Sequence, residues 1–132
     1  MTEVEFTRRS INVLRMIIIA GTIDVDPEKR EACLVASAPL QKATRDDEPG
    51  CLAYCFASDP VVDGRIQVYE LWADQASLAA HFTHANYLNM RTTLGGFGLR
   101  KADNKKYRVD HAEPVYDESR TPRADFFTET SA

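Results

Sequence analysis

Residues 66–89 read IQVYELWADQASLAAHFTHANYLN, and the rest of the chain is organised around them. The first seven, ending at Trp72, are β-branched and aromatic, as a strand prefers. Val68, Glu70 and Trp72 then share one face, and Tyr69 and Leu71 take the other. Asp74 offers an N-cap, and the Ala- and Leu-rich run that follows predicts a helix over Gln75–Thr83. A further helical turn or two is expected over residues 86–94, ended by Gly95-Gly96 and Gly98. This one strand–turn–helix unit carries the chain's only Trp, a carboxylate at Glu70, an imidazole at His81, and Asn86, Tyr87 and Arg91 close behind.

Before this unit, residues 16–23 (MIIIAGTI) form a near-continuous apolar strand, which predicts burial on both faces. Asp26-Pro27 starts a helix expected to reach about Arg45. Its apolar stripe is predicted at Ala32, Val35, Ala36, Pro39, Leu40 and Ala43, with a kink at Pro39. Asp46–Glu48 and Pro49-Gly50 stop it. Cys51–Ser58 reads as a second strand with Leu52, Tyr54 and Phe56 on one face. Residues 59–64 make the hairpin turn into the third strand. Residues 104–112 are expected as a weaker fourth strand, and residues 113–132 as a polar tail, extended or disordered.

The order β-α-β-β-α-β is the ferredoxin-like α+β arrangement, an antiparallel sheet with helices on one face. Apolar groups on both faces of the first two strands predict that the bare face meets a second copy of the chain, giving a homodimer. Three segments are expected: an arm over residues 1–15, a domain over 16–115 and a tail over 116–132.

The chain has 132 residues and a net charge of −4. With no basic stripe, nucleic acid is not an expected partner. No run is long and apolar enough for a membrane span. Thr7-Arg8-Arg9-Ser10 has the look of a twin-arginine signal, but the apolar run after it is too short and Arg15 interrupts its approach. A cytoplasmic protein with reduced, buried thiols is expected. The three Cys match no metal spacing. Cys51 and Cys55 stand roughly 13 Å apart along a strand, beyond disulfide reach.

Several landmarks fall in order: Asp26-Pro27-Glu28-Lys29-Arg30, then Ala43-Thr44-Arg45 leading to Glu48-Pro49-Gly50-Cys51-Leu52, then Tyr69-Glu70-Leu71-Trp72 followed by Leu78 and His81. Over about residues 16–115 the chain resembles the antibiotic biosynthesis monooxygenase family. The resemblance implies a dimeric α+β barrel. It also implies oxidation of a quinol or polycyclic phenol with O2 and no cofactor, neither metal nor flavin. Within the family, Val68 and Leu78 replace the Asn and Tyr of the branch acting on polyketide anthrones, and Trp72 is kept. Thr22, His81 and Arg91 replace the residues of the heme-degrading branch. Tyr69-Glu70 and His81 match a branch that isomerises a phosphorylated signalling sugar.

On this reading His81 is a base for a phenolic proton, with Glu70 and Trp72 beside it as catalytic candidates. Tyr54, Asn86, Tyr87 and Arg91 are the substrate-binding candidates, Trp72 and Tyr87 as walls and Asn86 or Arg91 as donors to the anion. Each has a structural alternative. His81 can be a half-buried histidine bonded to a strand, Asn86 a helix cap, and Tyr54 and Tyr87 core. Glu70 should find an Arg or a Tyr hydroxyl, since a strand carboxylate is rarely buried alone. His84 falls off the buried stripe, and His111 is expected at the surface of the tail. The alternatives for the whole chain are an isomerase of a small phosphorylated sugar and a dimer that only binds a hydrophobic ligand.

Overall fold

A computed structural model describes residues 15–129. The strands are β1 (Ile17–Val25), β2 (Cys51–Ser58), β3 (Arg65–Trp72) and β4 (Leu99–Arg108), and the helices are α1 (Arg30–Asp47), α2 (Gln75–Thr83) and α3 (Ala85–Gly95). The sheet runs β2-β3-β1-β4 with every neighbouring pair antiparallel. This is the expected ferredoxin-like α+β fold, its second helical segment divided into α2 and α3. The expected arm lies outside the described residues except for Arg15.

One face of the sheet carries the core. Ile23, Val25, Tyr54, Phe56, Ile66, Val68 and Trp72 are buried there against Leu78, Met90 and Leu94 of the helices. The register places Ile18 opposite Leu71 and Tyr107, and Ala20 opposite Tyr69, so these share the face that no helix among the described residues covers. That face is half-buried along β1 and open at Tyr69, which is 43% exposed. Among the described residues the two-sided burial predicted for β1 is therefore incomplete.

The helix after β1 differs from its expected stripe. Asp26 does act as a cap, accepting from the Glu28 amide at 3.0 Å. But it caps a 3-10 turn over Pro27–Lys29, and α1 begins at Arg30. The buried positions are Cys33, Ser37, Gln41 and Thr44, while Val35 of the expected stripe is 68% exposed. The helix is thus turned by one residue. The reason is that it lies along β2, an edge strand whose outward amides and carbonyls need partners. Gln41 supplies two, accepting from the Phe56 amide at 2.9 Å and donating to its carbonyl at 3.1 Å. Arg45 Nε donates to the Tyr54 carbonyl at 2.6 Å. Polar side chains win this face because they close an edge. The helix runs on through Pro39, which faces solvent.

Four further expectations need correction. The β2–β3 register shifts between Cys51 and Ala53, so a bulge at Leu52 turns that side chain out while Tyr54 and Phe56 stay in. The fourth strand starts at Leu99 rather than Asn104 and ends at Arg108; its charges are those of an edge strand. The tail is ordered by local bonds instead of a core. Glu113 accepts from the amides of Phe127 and Thr128, Asp117 from those of Ser119 and Thr121, and Tyr116 bridges to Pro122. His111 belongs to this network, with its Nε2 2.9 Å from a Glu113 oxygen. The thiols are free, but only Cys33 is buried; Cys55 is exposed. No helix among the described residues is long and apolar enough to cross a membrane.

Candidate functional site

The site lies between the covered face of the sheet and the α2–α3 pair. Asp74 accepts from the Ser77 amide at 2.8 Å and starts α2, as the sequence predicts. A short helix started there brings His81 back over Trp72, with ring centroids 4.4 Å apart. Tyr54 of β2 and Tyr87 of α3 meet the same imidazole edge-on, at 5.7 and 5.4 Å. His81 is fully buried, so the expectation of a half-buried side chain is corrected.

Its polar partner is Glu48, which in the sequence shows only as the end of a helix stop and as part of a family landmark. The chain leaves α1 at Glu48 in an extended conformation, and Pro49-Gly50 turns it beneath the first turn of α2. A Cβ on Gly50 would lie 2.1 Å from Ser77 Oγ, so only glycine lets the two segments pass this closely. The Gly50 carbonyl also accepts from the Ala73 amide at 2.9 Å. Glu48 thereby ends up buried, its oxygens 2.9 and 3.1 Å from His81 Nδ1.

Asn86 is neither the cap of α3 nor part of a cavity wall. His84 is the cap, its Nδ1 accepting from the Asn86 amide at 3.0 Å. The Asn86 side chain is buried and donates from Nδ2 to Glu48 Oε2 at 3.2 Å. Glu70 finds neither an Arg nor a Tyr hydroxyl. It accepts at Oε1 from Trp72 Nε1–H, at 3.0 Å. Trp72 has no exposed surface and stands behind the imidazole, so it is not the cavity wall that was expected.

A cavity of about 190 Å³ opens in front of His81. Tyr54, Phe56 and Glu70 line it from the sheet, Asn104 from β4, and Phe82, Tyr87, Met90 and Arg91 from the helices. Arg91 is exposed at its rim. A wider groove of about 650 Å³ runs between the start of β1, the end of β4 and α2, with Arg15, Lys106 and Arg108 on its walls. It contains none of the buried ionisable groups, and the smaller cavity is the candidate site.

Burial sets the protonation states. It lowers the His81 pKa, against the raising effect of the Glu48 hydrogen bond and charge, so the imidazole is held toward its neutral form. Burial pushes Glu70 up to about 7; the Trp72 hydrogen bond pulls it down and the Glu48 charge raises it further. Tyr54 is raised by burial and then by Glu70 and Glu48, which keeps it a neutral phenol. Burial pushes the Cys51 thiol up to about 11, which makes it a poor nucleophile. A neutral imidazole in an apolar cavity, anchored at one nitrogen by a carboxylate, is equipped to take a proton from a bound ligand.

Comparison with known proteins bears on the same segments. Residues 16–93 match the model of a family described as antibiotic biosynthesis monooxygenase. An uncharacterized protein from Synechocystis sp. is 36% identical over 99 residues, spanning 75% of this chain and 67% of the relative. A conserved protein from Methanosarcina mazei Go1 superposes with a TM-score of 0.67 at 20% identity, covering 76% of this chain and 98% of that one. A protein from Caulobacter crescentus CB15, described as a candidate antibiotic biosynthesis monooxygenase, superposes with a TM-score of 0.64 at 21% identity, covering 81% and 99%. At these identities the structural likeness establishes the fold. The family match spans most of the described domain, from β1 into α3, and includes Glu48, Glu70, Trp72, His81 and Asn86. This chain belongs to the antibiotic biosynthesis monooxygenase family.

Proposed function

We propose that the chain is a monooxygenase that oxidises a one- or two-ring phenol or quinol with O2, using no metal or flavin, with His81 as the base. The observation that carries the reading is the buried imidazole, held toward its neutral form, on the wall of a largely apolar cavity. Taking the phenolic proton onto His81 makes an electron-rich anion that O2 can oxidise. One oxygen atom enters the ring and the other leaves as water. For a phenol, the O–H and a ring C–H become two carbonyl groups, so the substrate supplies every electron the second oxygen atom needs. Tyr87 and Phe82 wall the ring, and Arg91 at the rim holds the developing negative charge. Glu70, with a pKa near 7, is the second proton-carrying group facing the cavity. The 190 Å³ volume favours one or two fused rings over larger ones.

We further propose that the working unit is a homodimer. Ile18, Ala20, Tyr69, Leu71 and Tyr107 share a sheet face that no helix among the described residues covers. A second copy packed there would complete the two-sided burial that the β1 sequence predicts.

The test is oxygen uptake with a panel of hydroquinones and naphthols. The proposal requires one O2 consumed per quinone formed, without accumulation of hydrogen peroxide. Saturable binding of the same compounds with no oxygen uptake would instead make the chain a ligand-binding member of its family.

A further inference from the structure

We infer that Glu48 is the positioning residue of this site: clamped by Asn86, it fixes His81 as the Nδ1–H tautomer and turns the Nε2 lone pair toward the cavity. The geometry allows little else. Both Glu48 oxygens lie within 3.1 Å of Nδ1. An ionised carboxylate only accepts, so a bare Nδ1 would set its lone pair against those of two oxygens. Nδ1 therefore carries the proton. Among the described residues Nε2 has no hydrogen-bond partner. The one buried side-chain polar atom left unpartnered there is Thr44 Oγ1, so Nε2 is not sealed in the core. His81 lines the cavity, and with Nδ1 engaged by Glu48, Nε2 is the nitrogen left to face it.

Asn86 makes the arrangement rigid. Its Nδ2–H holds Glu48 Oε2 from the first turn of α3, a turn itself capped by His84. One carboxylate thus ties three separate segments together: the end of α1, the last turn of α2 and the start of α3. The ionisable groups around the imidazole and its cavity are Glu48, Tyr54 of β2, Glu70 of β3, His84, Tyr87 and, at the rim, Arg91. Only Glu48 is hydrogen-bonded to the ring. When a ligand proton moves to Nε2, the imidazolium formed already faces a carboxylate, and no proton need pass to Glu48.

The turnover arm of the test rests on the proposed function; the tautomer arm does not. Imidazole ¹⁵N–¹H correlation spectra of the full chain, with His81 assigned through a His81→Gln sample, read the tautomer directly. The expected result is a protonated Nδ1 and a bare Nε2 in the neutral ring. In Glu48→Gln, which keeps an acceptor but loses the charge, the His81 titration midpoint should move down. With a phenol that the protein oxidises, kcat should fall by up to the about 10²–10⁴ a general base supplies, with KM changed only a few-fold. Glu48→Asp should recover part of that loss. A protonated Nε2 with a bare Nδ1 in the unmodified chain would overturn the inference, as would an unmoved midpoint in folded Glu48→Gln. If no phenol is oxidised, the spectra still decide the tautomer, and the failure then belongs to the proposed reaction.

Discussion

Glu70→Gln offers the most quantitative check on the electrostatics of the site. Burial raises the Glu70 carboxyl from an ordinary value of 4.5 to about 7. Above pH 4.5 the unfolded chain gives up this proton, while the folded chain keeps it until about pH 7. The unfolded state then binds fewer protons, so folding stability must fall as pH rises through that window. At about 1.4 kcal/mol per pKa unit, the loss attributable to Glu70 between pH 5 and pH 8 is roughly 2–3 kcal/mol. A Gln at this position keeps an oxygen to accept from Trp72 Nε1–H and cannot ionise. Denaturant unfolding of both proteins at pH 5 and pH 8 isolates the effect, because other titrations largely cancel between them. His81 runs the opposite way: its lowered pKa costs stability as pH falls below its ordinary value. Fluorescence of Trp72, the only tryptophan, reports the transition from inside the site. The stability difference should move in favour of Glu70→Gln by about 2–3 kcal/mol on going from pH 5 to pH 8. A difference that stays flat would show that Glu70 is ionised in the folded protein at both pH values and that its surroundings have been misread.

Gly50→Ala forces a Cβ into Ser77 Oγ and should cost about 1–3 kcal/mol in thermal or chemical unfolding; no loss would mean the segment before β2 can back away from α2. Gln41→Leu keeps the volume but strips the Phe56 amide and carbonyl of their partners, and should cost about 1–3 kcal/mol by the same measurement. Sedimentation equilibrium at micromolar concentration should give twice the chain mass, and a stable monomer would refute the proposed packing of the Ile18–Tyr69 sheet face on a second copy.

The fold was legible because residues 66–89 carry a strand pattern, a cap and a helix composition that agree with one another, and α2 has the predicted bounds. The α1 stripe was not legible. An apolar-periodicity argument assumes that a helix packs on a sheet face, whereas α1 also serves the edge of β2, turning Gln41 and Arg45 onto its backbone, with Ser37 bonded to Gln41. Leu52 was misplaced because a bulge leaves no mark on alternation until the partner strand is known. In the site, His81 and Glu70 could be singled out as ionisable groups bordering apolar runs. Glu48 could not, since its place after Asp46-Asp47 reads as one more acidic residue ending a helix. The one available signal was the Pro49-Gly50 turn directly behind it, which swings that carboxylate under α2. Asn86 precedes a helical run, so the sequence offers it as an anion donor or a cap; the cap is the neighbouring His84, and the Asn86 amide goes to Glu48, a partner remote in sequence.

The central claim is that His81 moves the proton on which any turnover depends. Oxygen consumption and melting temperature measured on the same samples of wild type and His81→Gln test it most directly. Gln can still hydrogen-bond to Glu48 but cannot accept a proton, so the account predicts a folded variant whose kcat is lower by about 10²–10⁴. Full specific activity in folded His81→Gln would contradict it.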